Sequence, residues 1–188
     1  GLDGSGYPNH VTINDIPLEG QIIRVADEYD AIVNKRQYKT HIGISDTLKI
    51  IIENSNPRPI PKKMEHNYDK KFIKLRKKYG KVNKKIVEQL LIIVIEDIKH
   101  EISSISDYVS YLKKQIDRLT EIKKYHEKAN SSSKKEMFLV YMNEMFQKGE
   151  TIENYESILN DFENAYKIRK DKIDNLYKEI DIINHLKV

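Results

Sequence analysis

The sequence predicts an all-α protein, and three observations carry that expectation. Charged residues make up 33% of the 188-residue chain, glycine and proline number only seven and five, and Ile, Leu, Lys and Glu are abundant, the profile of helix-forming sequence. Apolar residues recur at steps of three and four in several separate stretches, and those steps place them on one face of a helix. An apolar share of 39% is enough to build a buried core in a chain of this length.

Residues 1–16 are turn-rich and contain DGSGYP from Asp3 to Pro8; three of the seven glycines lie within residues 1–6. Taken alone, such a stretch reads as a linker or an expression scar. From Pro17 the pattern changes. Leu18, Ile22, Val25, Tyr29 and Ile32 alternate steps of four and three, which predicts an amphipathic helix, with Pro17 suited to its first turn. KRQYKTHIG reads as a loop. Ser45 is expected to cap a second helix through Leu48, Ile51 and Ile52, and Pro57, Pro59 and Pro61 stop it. A basic segment follows, then Gly80, then a helix from about Asn83 that carries the apolar run Ile86–Ile95.

Beyond Glu96, Ile98, Ile102, Ile105, Val109, Leu112, Ile116 and Leu119 keep a strict four-three spacing over about three heptads. NSSSK from Asn130 reads as a loop, and a shorter helix is expected over roughly residues 134–147. Ile152, Tyr155, Leu159, Phe162, Tyr166, Ile173, Leu176, Ile180 and Ile183 then form one last seam, interrupted by Arg169. Two long helices joined by a short one predict a bundle or coiled-coil extension, closed internally or by a homodimer through the C-terminal helices. The expected division is residues 1–98 and residues 99–188.

Charge and composition narrow the function classes. The chain has no cysteine, which excludes disulfides and thiolate metal sites and suits a reducing compartment; a cytoplasmic location is the expectation. No apolar run approaches the roughly 20 residues of a membrane span. No signal peptide is visible, and because the first residue is Gly1 the natural start is expected to lie upstream. Residues 62–85 carry ten lysines and Arg76 against Glu65 and Asp69, a formal +9 in a chain of net +4, which leaves −5 elsewhere. Such a run is more often a solvated face than a binding surface, and without aromatic platforms or an RNA-binding signature no DNA or RNA partner is expected.

The residues with chemical potential cluster early. Ile23, Asp27, Asp30 and Asn34 fall on one stripe of the first helix, so two carboxylates stand one turn apart, with small residues Ala26 and Ala31 beside them. A solvent-facing acid pair is the commoner outcome of such spacing. Arg36 and Lys39 follow, a planar fork and a mobile point charge that suit phosphate oxygens. The six histidines are scattered without an i,i+4 partner, so the chain by itself offers only one or two credible metal ligands.

Taken in order, Asp3–Pro8, Ile16–Leu18, Ala26–Ala31 and Arg36–Lys39 resemble the C-terminal half of an HD-GYP domain, the cyclic-di-GMP phosphodiesterase branch of the HD metal-dependent phosphohydrolases. That family's pattern has an acidic residue, a glycine loop ending in Gly-Tyr-Pro, an Ile-Pro-Leu connector, a helix reading Ala-Asp-x-x-Asp-Ala, and Arg-x-Tyr-Lys. The likeness fades after about residue 54 and resumes at YGKVNKKIVEQLL, so residues 55–79 read as a basic insertion. Gly20 and Gln21 depart from it, standing where the family commonly has Ala and Arg.

The resemblance implies a metal-dependent phosphodiesterase that hydrolyses cyclic-di-GMP, with two or three Fe or Mn ions activating a water against the phosphodiester phosphorus. It implies Asp27 as a metal ligand, Asp30 as a neighbouring active-site acid, and Arg36 and Lys39 as contacts to substrate phosphates. Asp3, Gly4, Gly6, Tyr7 and Pro8 match the signature loop, with Asp3 leaning toward a turn-stabilising role. The family's His and His-Asp ligands lie upstream of this sequence, so the chain alone is expected to be inactive. Two alternatives stay open: a degenerate domain that binds the dinucleotide without turnover, and a helical protein-interaction module.

Overall fold

The computed structural model describes residues 1–6, 10–34 and 43–188, and they form an all-helical fold. The helices are α1 (Leu18–Asn34), α2 (Ile44–Ser55), α3 (Lys70–Lys78), α4 (Lys84–Ser131), α5 (Lys135–Met145) and α6 (Tyr155–Asn184), with a 3-10 helix at Lys62–Asn67. Among the described residues the extended structure is an isolated antiparallel bridge between Asp3 and Thr12. No helix among them is long and apolar enough to cross a membrane. The chain divides into two compact units, Gly1–Ile98 with Lys178–Val188, and Lys99–Tyr177.

In the first unit α1 packs on α2. The core gathers Val25 from α1, Leu48, Ile51 and Ile52 from α2, and Val87, Leu91, Val94 and Ile98 from α4. The face that α1 buries differs from the expected one. Gln21 and Val25 are buried and Glu28 accepts a hydrogen bond from Asn54 on α2, whereas Leu18 and Ile22 remain 58% and 48% exposed. The helix is apolar on more than one side, and only one side meets α2.

Ser45 does not cap α2. Gly43 occupies the N-cap, and Ser45 lies in the first turn, where its backbone N–H donates to Glu179 Oε2 at 2.9 Å. A carboxylate at a helix N-terminus satisfies an orphan donor and complements the positive end of the dipole. α2 ends before the proline run, with Asn56 extended. The next turn brings Gly80 against the C-terminus of α2: a Cβ there would lie 2.3 Å from the Ser55 carbonyl carbon and oxygen. Only glycine permits that approach, and it lets Lys81 N–H reach Asn54 O at 2.7 Å.

The basic segment contains a helix the sequence pattern did not reveal. Asp69 caps α3 by accepting from Lys71 N–H at 3.0 Å, and Arg76, Lys77 and Lys78 fill the last turn, where cations suit the dipole. Asn83 starts α4 in the same manner, accepting from Lys85 N–H at 3.0 Å.

The second unit is a three-helix arrangement of α4, α5 and α6. Within it α4 and α6 are antiparallel: Glu101 pairs with Lys172 at 2.6 Å, and Arg169 lies 4.6 Å from the centre of the Tyr108 ring. Further along, Leu119, Ile122, Met142, Tyr155 and Leu159 form a buried cluster, with Ile116, Tyr125, Phe146 and Phe162 packed against it. This is the apolar seam of the sequence, closed here by its own chain.

Candidate functional site

The glycine loop is held by backbone bonds to residues far along the chain and close by. Leu2 N–H donates to Lys81 O at 3.1 Å, Ile13 N–H to Leu2 O at 3.1 Å, and Gly4 N–H to Gly1 O at 3.0 Å. Gly4 has φ +79°, the left-handed region that glycine enters without a Cβ penalty. His10 shares a positive φ and places Nδ1 3.1 Å from Gly4 O.

Asp3 is the buried centre of this loop, with 1% of its surface exposed. Its Oδ1 accepts from Ser5 N–H at 3.1 Å and from the Ser5 hydroxyl at 2.6 Å, and its Oδ2 meets Arg76 Nη1 at 2.6 Å. Burial pushes the carboxyl pKa up, but the Ser5 hydrogen bonds and the Arg76 charge outweigh it, so the group sits below the usual carboxylate range. Every described contact of Asp3 stabilises the turn. Arg76 comes from α3, and a partner 73 residues away leaves no periodic signal in the sequence.

The loop abuts the first turns of α1. A cavity of about 230 Å³ separates them, lined by Gly1, Leu2, Ile16, Gly20, Gln21 and Arg24 among others. Gly20 fits tightly against Ile16, since a Cβ would meet Ile16 Cγ2 at 3.2 Å. Gln21 ties the region together: its Nε2 donates to Ile16 O at 2.9 Å, and its Oε1 accepts from Asn83 Nδ2 at 2.7 Å. The two departures from the family pattern therefore have structural uses here.

One turn beyond Arg24, α1 presents Asp27 and Asp30, both exposed. They share the outward stripe with Ile23, which is 59% exposed, and with exposed Ala26; Glu28 faces α2 instead. Asp27 thus offers an accessible carboxylate beside apolar surface. The described residues do not by themselves fit a divalent metal centre, because no three of their His, Asp and Glu side chains form a group that could hold an ion. Tyr7, Pro8, Arg36 and Lys39 lie outside the described residues.

An all-helical chain with a buried, carboxylate-centred glycine loop set against an acid-bearing helix narrows the comparison to helical families. Residues 1–58 match the family described as the HD domain. A cyclic di-GMP phosphodiesterase of Thermotoga maritima is 36% identical over 75 residues, covering 40% of this chain and 19% of that protein. A 3'3'-cGAMP-specific phosphodiesterase 2 of Vibrio cholerae is 54% identical over 37 residues, 20% of this chain and 7% of its own. The cyclic di-GMP phosphodiesterase response regulator RpfG of Xanthomonas campestris is 51% identical over 37 residues, 20% of this chain and 10% of its own. Residues 1–58 are thus similar to the HD domain, and the resemblance to the cyclic-di-GMP phosphodiesterase branch stands on these relatives. The chain spans less than a fifth of the length of each of them. No solved structure matches it.

Proposed function

We propose that this chain is the C-terminal part of an HD-GYP domain and that the complete protein is a metal-dependent phosphodiesterase hydrolysing cyclic-di-GMP. The observation that carries the reading is the match of residues 1–58 to the HD domain, with the Asp3-centred loop set against the first turns of the helix that bears Asp27 and Asp30. A helix apolar on opposite sides suits a position between two layers. In this reading the outer layer is the upstream part of the HD-GYP domain, and the His and Asp ligands it carries complete the metal site.

The roles follow the family pattern. Asp27 would contribute one hard anionic ligand to a divalent ion, Fe or Mn, and Asp30 would orient that ligand or a water. Arg36 and Lys39 would clamp phosphate, and the signature loop of Asp3, Gly4, Gly6, Tyr7 and Pro8 would border the nucleotide. The α1 carboxylates and the glycine loop against the first turns of the same helix support this assignment, as do the activities for which the relatives are named.

The alternative reading is a domain that binds the dinucleotide without turnover. Incubating the complete, Mn-loaded protein with cyclic-di-GMP separates the two. Appearance of the linear dinucleotide or GMP supports the enzyme. Saturable binding with no product supports the degenerate domain, and neither binding nor product removes both.

A further inference from the structure

α3 lies beyond the segment that matches the HD domain, yet two of its side chains close on the glycine loop within that segment. Arg76 Nη1 reaches Asp3 Oδ2 at 2.6 Å, with four-fifths of the Arg76 side chain buried. Phe72, one turn earlier, covers the neighbouring residue: a Cβ on Gly4 would meet ring carbons Cδ2 and Cε2 at 3.2 and 3.3 Å. Tyr68 supports that ring from behind, with centroids 5.5 Å apart. The basic insertion therefore delivers a cation and an aromatic wall to consecutive loop residues.

We propose that α3 is a positioning element for the glycine loop, with Arg76 and Phe72 as positioning residues that fix the Asp3–Gly6 backbone. The role of the loop beside a cyclic-dinucleotide pocket rests on the function proposed above; the fastening itself does not. Asp3 Oδ1 is occupied by Ser5, so Arg76 is the partner of Oδ2. Removing Arg76 leaves a buried carboxylate oxygen without its cation, which costs far more than the intact pair contributes. The carboxyl must then take a proton or turn toward water. Either change loosens the Ser5 bonds that shape the turn.

The test compares Arg76→Gln, Arg76→Lys and Phe72→Leu in the complete protein, reading hydrogen exchange at Gly4 and Ser5 together with steady-state kinetics on cyclic-di-GMP. Arg76→Gln is expected to speed exchange at both amides about tenfold while Leu91 and Val94 on α4 stay at wild-type rates. It is also expected to raise KM about tenfold with metal content unchanged, and Arg76→Lys to recover most of the loss. Phe72→Leu should speed exchange at Gly4 more than at Ser5. Unchanged loop exchange in Arg76→Gln would overturn the proposal, as would a KM that stays put or a lysine variant no better than glutamine. If the wild-type protein neither binds nor cleaves the dinucleotide, the functional reading fails on its own. The exchange rates still decide the fastening in that case.

Discussion

Arg118 and Glu150 meet fork to fork in the second unit, Nη1 to Oε2 and Nη2 to Oε1, both at 2.6 Å. The same guanidinium donates to Met145 O at 3.1 Å, and Gln147 N–H donates to Glu150 Oε2 at 2.9 Å. One ion pair thus fastens the α5–α6 connection to α4. Arg118→Ala leaves Glu150, 8% exposed at its side chain, without its cation. A loss of about 3 kcal/mol in urea unfolding is expected; a change below about 1 kcal/mol would show that the pair is ornamental.

The same pair sets an acid dependence. The Arg118 hydrogen bonds hold the Glu150 pKa below the ordinary carboxylate range against the opposing effect of burial, with Gln147 N–H assisting. A depressed folded-state pKa adds stability above the unfolded value and loses it as pH falls through the folded one. Stability of the second unit should therefore fall on acidification below about pH 4.5, and Glu150→Gln should flatten that limb. An unchanged acid limb in Glu150→Gln would assign it to other carboxylates.

Tyr155 gives the alkaline counterpart. Its ring is fully buried, its hydroxyl donates to Glu156 Oε1 at 3.0 Å, and His126 Nδ1 lies 2.7 Å from the Tyr155 hydroxyl oxygen. Burial, then Glu156, push the phenol up to about 12. A raised pKa adds stability that is whole below about pH 10 and lost as pH rises toward the folded value. Urea midpoints should drop between about pH 10 and 12 in the wild type and drop less in Tyr155→Phe; parallel curves would contradict the assignment.

Two glycines separate space from handedness. Gly80→Ala forces a Cβ into the Ser55 carbonyl and the Asn54 oxygen, so a loss above about 3 kcal/mol is expected. Gly149 has φ +89° but open space around it, and alanine there should cost only about 1 kcal/mol from the backbone. Chemical denaturation of both variants checks the ordering.

Local signals were legible in the sequence wherever one element settles its own fate. The 3.6-residue periods gave α1, α4 and α6, the prolines stopped α2, and the apolar seam from Ile98 to Leu119 lies along the inner side of α4. Decisions between elements were not legible. Leu18 and Ile22 share a seam with Val25, yet neighbour geometry leaves them outside. Ser45 has the chemistry of a cap, but Glu179, 134 residues away, serves that helix end. α3 hid among lysines because its apolar residues, Phe72, Ile73 and Leu75, are few; Asp69 followed by a basic last turn was the available sign. At the candidate site, the exposure of Asp27 and Asp30 is the commoner outcome that their spacing predicts, while the pairing of Asp3 with Arg76 depended on chain topology.

The account turns on Asp27. In the complete protein, Asp27→Ala with the fold intact should lose both hydrolysis of cyclic-di-GMP and one bound divalent ion, counted together on the same preparation. Wild-type turnover with a full complement of metal in that variant would contradict the assignment and remove α1 from the site.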